Sequence, residues 1–185
     1  EASLSRMGID RIDLYQVHRP DLLAHPEEAA RAFDRLRQDG KIRAAGVSNY
    51  SAAQTAALIA HMPFPLASVQ PEFSPLAIEP LDNGVLDLAM QHNLAVLAWS
   101  PLAQGRLGVE KAAAARSDPR AAAVIGELDR VAAREGVARA ASKPVVLVGT
   151  QSPERIRQAA EAHRVALTRA DWYAVLVAAR GAPMP

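Results

Sequence analysis

The sequence contains no cysteine. That removes disulfide frameworks, thiolate nucleophiles and thiolate metal ligands. Formal net charge is only +1, with no basic cluster, so the electrostatic footprint of a nucleic-acid binder is missing. No apolar run approaches the ~20 residues of a membrane span. Neither G-x-G-x-x-G nor G-x-x-x-x-G-K occurs, so the usual phosphate loops of open doubly wound sheets are absent. Lysine is confined to Lys41, Lys111 and Lys143. The first residues, Glu1 to Met7, lack the apolar core of a signal peptide and read as the last turns of an amphipathic helix. The cytoplasm is the expected location.

What is present is an alternation of strand-like and helix-like segments. Arg11 to His18 reads as a strand. Pro26 to Gln38 reads as a helix, with Pro26 at its first position and Gly40 at its stop. Ile42 to Ser48 is the next strand. Ser51-Ala52-Ala53-Gln54 has capping-box spacing and opens a helix to about Ala60. Ala67 to Gln70 is a short strand, Gly84 to Gln91 a helix with Asn93 as its cap, and Leu94 to Trp99 a strand. Asp118-Pro119 opens a helix to Glu135, stopped by Gly136. Val145 to Val148 is the fifth strand. Helices follow from Ser152-Pro153-Glu154 to about His163 and from Thr168 onward. Ala112 to Arg116 is compositionally biased and reads as an exposed loop or helical turn. The 185 residues form one domain, and this alternation implies a parallel α/β sheet.

Polar groups stand at the ends of these apolar strands: His18, Ser48-Asn49, Gln70 and Trp99-Ser100. A β/α barrel keeps its active site at that end. A complete barrel needs roughly 250 residues, and five strands do not close one.

Several ordered blocks resemble the C-terminal part of an aldo-keto reductase. They are Ile12-Asp13-Leu14-Tyr15 with His18, Gly40-Lys41-Ile42-Arg43 before Gly46-Val47-Ser48-Asn49, Gln70 with Glu72, Ala98-Trp99-Ser100-Pro101-Leu102, and Gly149-Thr150 through Arg155-Ile156. The His-Arg-Pro-Asp form is most similar to bacterial members. The resemblance implies an eight-stranded parallel (β/α)8 barrel of TIM type, of which this chain supplies about strands 4–8. It also implies reduction of aldehydes or ketones with NADPH.

The family's catalytic set is Asp, Tyr, Lys and His, and only the histidine, at His18, falls here. The other three come from strands that precede this segment in the family. No local residue substitutes. Lys41 and Lys143 sit just before strands, at the far end, and Lys111 is in a loop. Tyr15 points to the other side of its strand from His18. Tyr173 is on the last helix. Tyr50 is near the right face without being placed beside His18.

The remaining assignments follow from the resemblance and from side-chain chemistry. His18 would orient the substrate carbonyl, because an imidazole can donate one hydrogen bond while nearly neutral. Ser48, Asn49 and Gln70 offer the donors and acceptors a nicotinamide carboxamide needs, although Ser-Asn after a strand is more often just a turn. Trp99 offers a flat face to the nicotinamide ring. Ser100, Pro101, Leu102 and Gly105 would follow the pyrophosphate. Gly149, Thr150, Gln151, Arg155 and Gln158 surround a helix start suited to an anion, and an Arg in its first turn suits a 2′-phosphate; that favours NADP(H). A capped surface helix explains the same pattern without a ligand. The family often has Lys where Gly149 lies and Asn where Ala159 lies. Between Gly136 and Pro144 the chain is too short for a helix the family usually has.

Two further readings come from other classes. One is a non-catalytic NADP(H)-binding or accessory subunit, because unpaired sheet edges invite another chain or copy. The other is an inactive fragment. The expected partner is a small carbonyl compound, with neither nucleic acid nor membrane.

Overall fold

The computed structural model describes residues 1–137 and 152–183. The chain divides into two compact units, one of Glu1–Pro71 with Pro80–Leu97 and one of Glu72–Glu79 with Ala98–Pro185.

The first unit opens with α1 (Ala2–Met7) and is built on four parallel strands in the order β1 (Ile12–Val17), β2 (Ile42–Ser48), β3 (Ser68–Gln70) and β4 (Ala95–Val96). The crossovers are α2 (Pro26–Gln38), α3 (Ala52–His61) and α4 (Val85–Gln91). Helix starts follow local chemistry. Ser51 Oγ accepts from Gln54 N–H at 3.1 Å, and Gln54 Oε1 accepts from Ser51 N–H at 2.9 Å. This capping box satisfies two of the amides a helix start leaves unpaired. His25 caps α2 in the same way, with Glu28 Oε1 accepting from its backbone at 3.1 Å.

The register pairs Gln16 with Gly46, Gly46 with Ser68, and Ser48 with Gln70. Side chains alternate across a sheet, so the two faces separate by chemistry. Ala45, Val47 and Val69 point to the helices and bury with Phe33, Leu58, Phe64, Leu66, Val85 and Ala89. Each large side chain in such a cluster contributes about 1.5–3 kcal/mol of burial. The opposite face carries Gln16, Ser48, Ser68 and Gln70.

In the second unit Glu72 and Trp99 form an isolated parallel bridge. Among the described residues four helices follow: α5 (Val109–Ala115), α6 (Pro119–Glu135), α7 (Pro153–Ala160) with a 3₁₀ turn to Arg164, and α8 (Arg169–Arg180). Asp118 caps α6, accepting from Arg120 N–H at 2.9 Å. Gly136 ends α6 in the left-handed region at φ 64, where a glycine avoids the Cβ penalty. Leu107, Ala121, Val124, Ile125 and Ala179 form its core.

Some expectations change and others hold. The strand expected over Leu94 to Trp99 shrinks to Ala95–Val96 plus the Trp99 bridge. Pro71, which ends β3, has no N–H to give to a ladder. Of the two readings of Ala112 to Arg116, the helical turn is found: its alanines, strong helix formers, lie in α5 up to its cap at Arg116, with Ala112 and Ala115 buried. Lys111 is therefore helical and reaches Gln104 O at 3.5 Å. The helix expected from Ser152 to about His163 is α-helical to Ala160 and continues as a 3₁₀ turn over Glu161–Arg164. The fifth expected strand, Val145 to Val148, and the segment before Pro144 from residue 138 on lie outside the described residues.

Candidate active site

His18 follows β1 and is exposed. Its backbone carbonyl accepts from Asn49 Nδ2 at 3.0 Å, which ties the end of β1 to the end of β2. Asn49 stands at φ 58, in the left-handed region that Asn tolerates better than most residues. Its Nδ2 also donates to Ser48 Oγ at 3.1 Å. Ser48 Oγ donates to Gln70 O at 2.9 Å and lies 3.3 Å from Gln70 Oε1. His18, Ser48, Asn49 and Gln70 are thus joined across three strand ends, as their common placement at the end of parallel strands requires.

Two residues that the sequence reading passed over complete this network. Gln70 Nε2 donates to Gln16 Oε1 at 2.9 Å, and Gln16 Nε2 donates to Ser68 Oγ at 3.1 Å. The signal for Gln16 was available: it lies two residues before His18, hence on the same strand face. Ser68 bears the same relation to Gln70.

The arrangement can hold a planar amide. Serine hydroxyl and carboxamide groups on adjacent strands provide both hydrogen-bond donors and acceptors, which is the pattern a nicotinamide carboxamide presents in complement. The imidazole of His18 makes no hydrogen bond among the described residues, leaving a donor for a carbonyl oxygen.

Among the described residues of the first unit, Lys41 and Tyr50 do not join this network. Lys41 pairs with Glu1 at 2.7 Å and Asp39 at 2.8 Å, just before β2. Its ammonium is held charged by those hydrogen bonds. Tyr50 packs partly buried against the helical core. Burial, with the nearby Asp21 charge, pushes its hydroxyl pKa up. Asp13 pairs with Arg43 at 3.4 Å on the exposed side of β1.

In the second unit, Trp99, Ser100, Pro101, Leu102 and Gly105 share one tight loop. Ser100 (φ 51), Ala103 (φ 49), Gln104 (φ 57) and Gly105 (φ 87) are all left-handed. Three of them carry a Cβ, and each such residue costs on the order of 1–3 kcal/mol. Turn bonds hold the loop: Ala103 N–H to Ser100 O at 2.8 Å and Leu107 N–H to Leu102 O at 3.1 Å. Strain of this kind concentrates at ligand clamps. Arg155 and Gln158 lie on α7. Gly149, Thr150 and Gln151 lie outside the described residues, as do the side chains of Arg155 and Gln158.

The family model described as the Aldo/keto reductase family matches residues 1–176. The chain belongs to the aldo/keto reductase family. It is 46% identical to a protein named 6-dehydroglucose reductase from Novosphingobium aromaticivorans, over 99% of this chain and 62% of that protein. It is 37% identical to the Escherichia coli protein named oxidoreductase YdhF, over 100% of this chain and 63% of that protein. The chain therefore spans somewhat under two thirds of the curated relatives it matches. Among solved structures, a glycerol dehydrogenase from Gluconobacter oxydans superposes with a TM-score of 0.82 at 28% identity, over 99% of this chain and 63% of that one. A thermostable aldo-keto reductase solved with the inhibitor epalrestat superposes at 0.80 with 22% identity, over 95% and 63%, a likeness of fold. The aldo-keto reductase likeness and the parallel α/β sheet expected from the sequence are both found.

Proposed function

We propose that this chain is part of an NADP(H)-dependent aldo-keto reductase that reduces an aldehyde or ketone to an alcohol. In this reading residues 1–185 form one domain and supply about strands 4–8 of an eight-stranded barrel. The observation that carries it is the single hydrogen-bonded group of His18, Ser48, Asn49 and Gln70 at the ends of β1, β2 and β3.

The nicotinamide cofactor, when bound, supplies hydride to the carbonyl carbon. Ser48, Asn49 and Gln70 would hold its carboxamide, supplying both hydrogen-bond donors and acceptors. His18 donates a hydrogen bond to the carbonyl oxygen, polarising it and holding it in line. The family resemblance assigns the proton for that oxygen to a tyrosine that precedes this segment in family order. Tyr50 packs against the helical core and is not assigned the part. The family resemblance would give Trp99 to the nicotinamide ring and Ser100, Pro101, Leu102 and Gly105 to the pyrophosphate. Gly149, Thr150, Gln151, Arg155 and Gln158 hold the 2′-phosphate end.

The relative named 6-dehydroglucose reductase makes an oxidised sugar the first substrate to try. The test is NADPH consumption by the complete barrel of which this chain is proposed to be part, with 6-dehydroglucose and a panel of simple aldehydes, beside His18→Ala; the chain by itself, without the family's tyrosine, is expected to show none. Removing an oxyanion donor typically costs about 100-fold in kcat, and a loss of that order is expected. Turnover unaffected by His18→Ala would overturn the assignment of His18. No turnover with any carbonyl would overturn the proposed activity.

A further inference from the structure

We propose that Gln16 is a positioning residue, holding the Gln70 carboxamide in a single orientation toward a bound nicotinamide. The inference rests on the reading that the ends of β1–β3 receive that group.

A glutamine carboxamide has a donor end and an acceptor end of nearly the same size. Its shape therefore does not choose between two orientations half a turn apart; only its partners do. Gln70 Nε2 donates to Gln16 Oε1 at 2.9 Å, while Gln70 Oε1 faces Ser48 Oγ at 3.3 Å. Turning Gln70 alone would bring its oxygen against the Gln16 oxygen. Turning Gln16 alone would bring two NH₂ groups together. Each carboxamide is thus locked by the other. Gln16 is itself anchored at its far end, where Nε2 donates to Ser68 Oγ at 3.1 Å. Ser68 is 1% exposed, so water does not compete for that hydroxyl.

The sheet makes room for this arrangement at one residue. Gly46 lies between Gln16 and Ser68 in the register. A Cβ there would fall 2.2 Å from Ser68 Oγ and 3.2 Å from Gln16 Cγ. Any other residue would push apart the two groups that hydrogen-bond across it.

The consequence for a ligand is preorganisation. A carboxamide already fixed loses less freedom when it binds. The Gln16 side chain touches no part of the cofactor in this scheme; it acts through Gln70.

Gln16→Met keeps the length of the side chain and removes both polar ends. Gln16→Glu keeps an acceptor for Gln70 Nε2 and an oxygen for Ser68, whose hydroxyl can donate instead. Affinities for NADPH and for the fragment 2′-phospho-ADP-ribose, which lacks the nicotinamide, would be measured by calorimetry on the protein as encoded. The expected result for Gln16→Met is a loss of about fivefold to tenfold in NADPH affinity, the size of one hydrogen bond. Fragment affinity should stay unchanged, and Gln16→Glu should restore NADPH affinity to within about twofold. Should Gln16→Met fail to fold, Ser68→Ala frees the far end of Gln16 and is expected to weaken NADPH alone.

Equal loss for NADPH and fragment, or no loss, would overturn the positioning role while leaving the site reading intact. Failure of the unsubstituted protein to bind NADPH would overturn the site reading, and the inference with it.

Discussion

Asp171 on α8 accepts a hydrogen bond from Arg134 Nη1 on α6 at 2.8 Å, although Asp171 is only 2% exposed. Arg130 Nη2 reaches the same oxygen at 3.0 Å, and the second carboxylate oxygen accepts from Thr168 N and Oγ1 at 3.0 and 2.7 Å. One carboxylate therefore closes the capping box of α8 and clamps that helix to α6. A buried charge is tolerated only when paired in this way; removing it leaves Arg130 with Glu127 and Arg134 with Glu135, but opens the capping box and unties α8 from α6. Asp171→Ala is expected to lower the melting temperature more than Arg130→Ala or Arg134→Ala, each of which leaves one arginine in place. Thermal denaturation of the three variants checks the order.

The same carboxylate gives a pH dependence. The Thr168 hydroxyl, followed by the Arg134 guanidinium, holds the Asp171 pKa well below the usual carboxylate range. A depressed pKa in the fold means that its stabilisation is present above the ordinary aspartate value and is lost as pH falls toward the folded value. Acid titration of the melting temperature is expected to fall below the ordinary carboxylate range more steeply in the parent than in Asp171→Asn. Parallel curves would contradict this.

Gly46→Ala is expected to destabilise the first unit by about 1–3 kcal/mol, the usual cost of overpacking. The close contacts include a backbone atom, Ser68 O at 3.0 Å, which does not swing aside as a flexible side chain would. Urea denaturation measures it. A loss under half a kilocalorie, by order of magnitude, would mean that β2 and β3 separate easily.

Leu58 is 1% exposed within the cluster that backs β2 and β3. Leu58→Ala is expected to cost about 2–5 kcal/mol by the same measurement. Because Leu58 lies on the helical side of the sheet and the strand-end polar groups on the other, NADPH affinity should change far less than stability.

Much of this was legible in the sequence wherever the determinants are local. Helix α2 starts at Pro26 and α6 runs from Pro119 to Glu135, as expected, because a cap, a proline at the first position and a following glycine act within a few residues. Strand β2 was equally plain from Ile42 to Ser48. Strand β4 was not, because its length is set by its neighbour, where Pro71 interrupts the ladder. The apolar period alone could not register that. His18, Ser48, Asn49 and Gln70 were found because each closes an apolar strand. Gln16 and Ser68 were missed because their partners are 52 and 54 residues distant along the chain, and only the register brings them together. Alanine-rich α5 was legible as a helical turn, but composition does not say that Ala112 and Ala115 are its buried alanines.

The measurement closest to the central claim follows the transferred hydrogen itself. NADPH carrying two deuterons at the nicotinamide C4 would be incubated with the complete barrel and an aldehyde that it reduces, and the alcohol examined by mass spectrometry. A deuterium on the carbinol carbon, with its rate of appearance reduced in His18→Ala, is the predicted result. Alcohol without label, or label appearing at the same rate in His18→Ala, would contradict the account.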